Sequence, residues 1–171
     1  RRLSPNAEAQ VKRQRGRTVF MRKGMPQITL GTVGELEMLG LTLPGIESVR
    51  DPASLVCLPV GTALRLLLPI LETLWKLDRA TQAKLLKVSL PTLRRYRAGK
   101  SIPRGQEQLR RIEDLHRSYL ALRVLFPRNP ELADAWPTRR NLNFKKLSPV
   151  AYAVRRGTRE VRRYLEAELV N

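Results

Sequence analysis

Cysteine is almost missing from this 171-residue chain: Cys57 is the only one. No internal disulfide can form, which suits a reducing cytoplasm. Histidine is equally scarce, and with His116 the only one no metal-ligand set can be assembled, so neither a metal nor another cofactor is expected. Long apolar runs are missing too. The best candidate, 63–77, is cut by Arg65, Pro69, Glu72 and Lys76, so no membrane span is expected. Arg1 and Arg2 are followed by polar residues rather than by the apolar core of a secretion signal. Acid is the largest deficit: 15 Asp and Glu face 33 Lys and Arg, giving a formal net charge of +18 and a pI near 11.3. That excess directs attention to polyanionic partners, nucleic acid first and anionic surfaces second, without fixing a fold. The length allows one domain, or a small core with an attached arm, with a real hydrophobic centre.

What is present is organised around residues 77–103, LDRATQAKLLKVSLPTLRRYRAGKSIP. Asp78 is a candidate N-cap for a helix over 79–86 with Ala83, Leu85 and Leu86 inward. Ser89 can cap a second helix over 90–97, with Pro91 tolerated in its first turn and Gly99 as the stop. Ala83 allows a close crossing, Val88 plugs the corner and Leu93 faces the core, as a helix-turn-helix requires. The outer face then carries Thr92, Arg94, Arg95 and Arg97. Such a turn often places glycine where φ is positive, and here the residue is Lys87. Helical hairpins also occur in proteins that touch no DNA; charge tips the balance, because residues 79–123 hold twelve Lys and Arg against three Asp and Glu. Ser89, Thr92, Arg94, Arg95 and Arg97 are the candidate DNA-binding residues.

Elsewhere, residues 1–24 hold eight basic residues and one acid, a basic arm that is either a solvated tail or a phosphate-tracking extension. Residues 18–21 and 27–30 suggest short strands. From 25 to 78 the balance reverses, with six acids against three bases, and the segment is expected to pack. Leu36, Met38, Leu39, Leu41, Leu43 and Ile46 suggest a small helix and turn. Leu64, Leu67, Leu68, Leu71, Leu74 and Trp75 recur at helical spacing, with Pro69 kinking that helix or starting another. A helix over 105–126 carries His116 near its apolar stripe, read as a core or interface residue. Asn129-Pro130 and Ser148-Pro149 each open a helix, and Gly157 closes the second. Thr158 then caps a last helix with the stripe Val161, Tyr164, Leu165 and Leu169. Between these helices lies a polar loop with Leu142 and Phe144 as anchors. No spacing sets up an acid–base pair, so no enzyme is expected.

In this order the parts resemble the MbcA/ParS/Xre family of bacterial antitoxins. The residues that carry the likeness are Leu58-Pro59, Val88-Ser89, LRRYRAGKSIP over 93–103, Trp136, Asn141-Leu142, Ser148-Pro149, Gly157, Val161 and Leu165. After Asn-Leu the family often has glycine, where this chain has Asn143-Phe144-Lys145-Lys146. The resemblance implies an all-α protein with a Xre-like helix-turn-helix domain over 58–126 and a C-terminal toxin-binding module over 127–171. The basic arm and an unassigned packing segment precede them over 1–57. It further implies a cytoplasmic antitoxin that covers the active site of a RES-domain, NAD-consuming toxin. Family members also repress their own operon and commonly dimerise, so the expected partners are that toxin, operator DNA and a second copy. Toxin contacts are expected from Arg139, Arg140, Asn141, Lys145, Arg162, Glu166 and Glu168, while Trp136, Leu142, Val161 and Leu165 build the module. A stand-alone helix-turn-helix regulator or DNA-coating protein is the alternative.

Overall fold

A computed structural model describes residues 10–14, 17–21, 26–34 and 55–170, the first two stretches as backbone. The small helix and turn expected over 36–46 lie outside these residues. What is described is mostly helical, as the periodicity predicts, but the all-α expectation holds only in part, because one four-stranded sheet is also present. Strands β1 (Gln10–Gln14), β2 (Arg17–Met21), β3 (Gln27–Thr32) and β4 (Leu55–Pro59) lie in the order β1-β2-β4-β3. β1 pairs antiparallel with β2, β2 runs parallel to β4 at Val19 and Leu55, and β3 pairs antiparallel with β4. The basic arm therefore contributes two strands, and the short strands suggested over 18–21 and 27–30 are both present. Ile28, Leu30 and Val56 are buried, so the sheet turns one apolar face inward.

Helix α1 (Val60–Pro69) buries Ala63, Leu64, Leu67 and Leu68. Pro69 ends its regular winding: residues Ile70–Leu74 form a wider π turn, in which the Trp75 amide reaches back to the Ile70 carbonyl at 2.9 Å. The extra residue in that turn brings both Leu71 and Trp75 into the core. Lys76 then adopts a left-handed conformation, φ 54°, and the Leu77 amide bonds back to the Leu71 carbonyl at 2.9 Å, closing the end of the helix.

Helices α2 (Arg79–Leu86) and α3 (Leu90–Arg97) match the predicted bounds. Asp78 Oδ1 accepts the Thr81 amide at 2.6 Å and Ser89 Oγ accepts the Thr92 amide at 3.3 Å. Helix α4 (Gln106–Leu125) is the long central element, with Ile112, Leu115 and Leu122 buried. α5 (Pro130–Ala135) and α6 (Pro149–Arg156) start at Asn129 and Ser148, whose side chains accept the Leu132 and Ala151 amides at 3.0 and 3.1 Å. Between them lie two short 3-10 turns, Trp136–Thr138 and Leu142–Phe144. Gly157 makes the corner into α7 (Thr158–Glu168) with φ 112°, a region open to glycine and strained for other residues. One apolar core joins β3, α1, α2, α4, α6 and α7, continuous across the 126/127 boundary.

α4 and α7 also meet through a half-buried ion cluster. Asp114 accepts the Thr158 hydroxyl at 2.8 Å and Arg162 Nη1 at 3.3 Å, and Arg117 Nη2 lies 2.6 Å from Glu166. Glu113 takes longer contacts of 3.9 Å from both arginines, and burial pushes its carboxyl above the usual range despite them.

Candidate nucleic-acid interface and exposed loop

The α2–α3 unit is built from the inside as its pattern predicts. Ala83 and Leu93 are buried and Val88 is half-buried at the corner. Lys87 fills the turn position with φ 55° and ψ 50°, so the chain adopts the left-handed geometry without glycine. Its carbonyl is held by Gln108 Nε2 at 3.3 Å, and its amide bonds to the Lys84 carbonyl at 3.1 Å.

Two residues escaped prediction. Gln82 is fully buried, its Nε2 donating to the Leu77 carbonyl at 2.8 Å and its Oε1 accepting from Arg97 Nη1 at 3.3 Å. Arg97, placed by its spacing on the outer face, is half-buried at the edge of that face: its guanidinium donates to the exposed Glu72 carboxylate and holds that group below the usual carboxylate range. Glutamine on an inner helical face, an acid one turn before Trp75 and an arginine at the end of α3 were the available signals. Arg97 is therefore a brace between α3 and the π turn. Of the other candidates, Ser89 and Thr92 are engaged with one another, Oγ to Oγ1 at 2.9 Å. Arg94 and Arg95 are exposed, and Arg95 reaches only Thr92 Oγ1, at 3.4 Å. Arg79, Lys84, Lys87, Lys100 and Arg104 are exposed as well, and residues 79–104 contain eight basic side chains and no acid.

The second group of candidates divides in two. Arg162 and Glu166 belong to the α4–α7 ion cluster, so each already has an internal partner. Arg139, Arg140 and Lys145 are exposed, Asn141 is half-buried, and Glu168 is exposed with no ion pair among the described residues. Asn141 organises the loop: its Oδ1 accepts the Asn143 amide at 2.9 Å, and its amide and carbonyl bond to Leu147 and Lys146 at 3.0 and 3.2 Å. Lys145 and Lys146 are both left-handed, φ 55° and 64°.

Leu142 is a correction. Expected as an anchor, it is 80% exposed at the loop tip, while Phe144 is buried. The anchoring falls to aromatic contacts: Phe144 lies 5.1 Å from both Tyr152 and Tyr164 and 6.0 Å from Trp136. Asn143 Nδ2 also donates to the Tyr164 hydroxyl at 2.8 Å.

His116 is buried, its Nε2–H donating to the Ala63 carbonyl at 2.6 Å. Asp134 is paired with Arg123 at 2.5 Å. Among the described residues no group of three His, Cys, Asp or Glu is placed to hold a metal ion, and no helix is long and apolar enough to cross a membrane. Comparison with protein-family models, curated proteins and solved structures finds no match to this chain.

Proposed function

We propose that this protein is a cytoplasmic type II antitoxin that binds operator DNA through α2 and α3 and neutralises a RES-domain toxin through its C-terminal region. The observation that carries the reading is the α2–α3 unit: a capped, short helix pair with a buried small-residue crossing, Arg94 and Arg95 exposed, and no acid within residues 79–104. Such a face supplies phosphate neutralisation together with arginine forks that match guanine edges. Arg97 drops out of the contact set because it braces α3. The toxin half of the reading rests on the family resemblance and on Leu142, a large apolar side chain held out on a basic, aromatically anchored loop.

Arg94→Ala with Arg95→Ala is expected to abolish operator binding in a salt-titrated mobility-shift assay and to leave the melting curve unchanged. Undiminished DNA affinity overturns the DNA assignment. For the partner half, the co-encoded RES-type protein is co-expressed with wild type or with Leu142→Glu, and growth is followed. Loss of growth rescue in the variant, with the fold intact, supports masking through the loop; full rescue by Leu142→Glu removes the loop from that role.

A further inference from the structure

Away from the α3 surface, one cleft gathers arginines from two directions. Residues 107, 110, 111 and 114 share one face of the first turns of α4, being three and four apart, and Arg156, Gly157, Thr158 and Arg159 face them from the α6–α7 corner. The cleft measures about 220 Å³, smaller than pockets for drug-sized molecules, which begin at about 300 Å³. It therefore suits a compact headgroup. Four guanidiniums and two carboxylates line it, and both carboxylates are already engaged. Glu107 accepts Arg111 Nε at 2.8 Å, which holds its carboxyl below the usual range, and Asp114 is held by Thr158 and Arg162. Arg111 is fixed further by donating to the Leu85 carbonyl at 3.0 Å. Arg110 has a 3.8 Å contact to Glu107 and a 3.4 Å bond from Nε to the Gln106 carbonyl, which leave its Nη groups without a close ion pair, and Arg156 and Arg159 have no ion-pair partner among the described residues.

We propose that this cleft is a phosphate-binding site, in which Arg110, Arg156 and Arg159 grip a phosphate or diphosphate group over a floor set by Arg111. Guanidinium forks match phosphate oxygens in pairs, and arginines arriving from two elements enclose a tetrahedral anion better than a planar carboxylate. The phosphate has two possible sources, a small free phosphorylated molecule or the backbone of a nucleic acid. The floor of the cleft adjoins the α2–α3 turn through the Glu107–Lys87 contact at 4.0 Å and the Arg111–Leu85 bond, so a bound backbone would pass beside that turn. The site itself does not depend on the antitoxin reading.

The test titrates inorganic pyrophosphate into the full chain at low salt by calorimetry, for the wild type, Arg156→Ala/Arg159→Ala, Arg156→Lys/Arg159→Lys and Arg94→Ala/Arg95→Ala. Saturable binding should weaken by roughly tenfold or more in the first double variant, the scale of one lost charge-assisted hydrogen bond. It should weaken in the lysine variant, which keeps charge but not the fork, and persist in the Arg94/Arg95 variant. The lost side chains are exposed and unpaired, so thermal melting should be unchanged. Salt dependence of binding to a non-operator duplex separates the sources. A shallower slope in Arg156→Ala/Arg159→Ala assigns the site to backbone phosphate; an unchanged slope with lost pyrophosphate binding assigns it to a small anion. Equal weakening in both alanine doubles, or no saturable binding in wild type together with an unchanged slope, overturns the proposal.

Discussion

Single side chains decide several properties that composition alone leaves open. Burial holds His116 below its ordinary value of 6.5, with the bond to Ala63 opposing the shift. Below that value the unfolded chain takes up a proton that the folded chain refuses, so this contribution to stability is complete above pH 6.5 and declines as the pH falls toward the depressed native value. The slope is at most about 1.4 kcal/mol per pH unit for one proton. Glu113, with its carboxyl raised by burial, works in the opposite direction, because the folded state holds its proton longer. Urea unfolding of wild type and His116→Gln between pH 5 and 7 isolates the histidine: the variant, which keeps a neutral donor but cannot titrate, is expected to show the flatter profile. Leu142→Ala is expected to change unfolding free energy by less than about 0.5 kcal/mol, the range of surface substitutions. Phe144→Ala, by contrast, should cost about 3–5 kcal/mol. The two phenotypes, though the residues stand two apart, follow from a 3-10 turn that sends one side chain in and the other out. That turn is the reason Leu142 was misjudged from sequence: an isolated apolar residue in a polar loop has no periodicity to tell inside from outside. The Arg97–Glu72 pair is not legible in sequence because the two residues lie on different elements, 25 positions apart.

At the scale of elements, the helices were largely legible, and for a physical reason. Each of α2, α3, α5 and α6 begins with Asp, Ser or Asn accepting an amide three residues on, a local bond between neighbours in sequence. Ser89→Ala removes the acceptor for the Thr92 amide and is expected to destabilise the fold by about 1 kcal/mol, read as a lower urea midpoint with unchanged slope. Lys87→Gly should act the other way. A left-handed non-glycine residue costs about 1–2 kcal/mol, whereas the 4.0 Å contact to Glu107 joins exposed side chains and contributes little. The glycine variant should therefore raise the midpoint, less the extra freedom it grants the unfolded chain. The sheet was less legible. Strands were suggested at β2 and β3, but nothing local announces that β2 pairs with β4, since a strand is stabilised by partners distant in sequence.

For the whole molecule, the expected modular division becomes a matter of ionic and apolar continuity. Arg117, Arg162 and Glu166 join α4 to α7 across the boundary between the two presumed parts. Glu166→Gln is expected to cost about 1–3 kcal/mol by leaving half-buried arginines underpaired, and differential scanning calorimetry should still record one transition. Removing residues 1–24 is likewise no clean subtraction of charge: it strips β1 and β2 and uncovers the β4 edge. The parallel pairing of Val19 with Leu55 also has a consequence in time. The apolar face that β3 and β4 turn inward is covered by α4, a helix synthesised well after them. During synthesis β3 and β4 precede α4, so their inward face is complete before the helix that covers it. Contacts between segments distant in sequence form late, so the β2–β4 pairing and the cover of β3 by α4 are the slow steps of this fold.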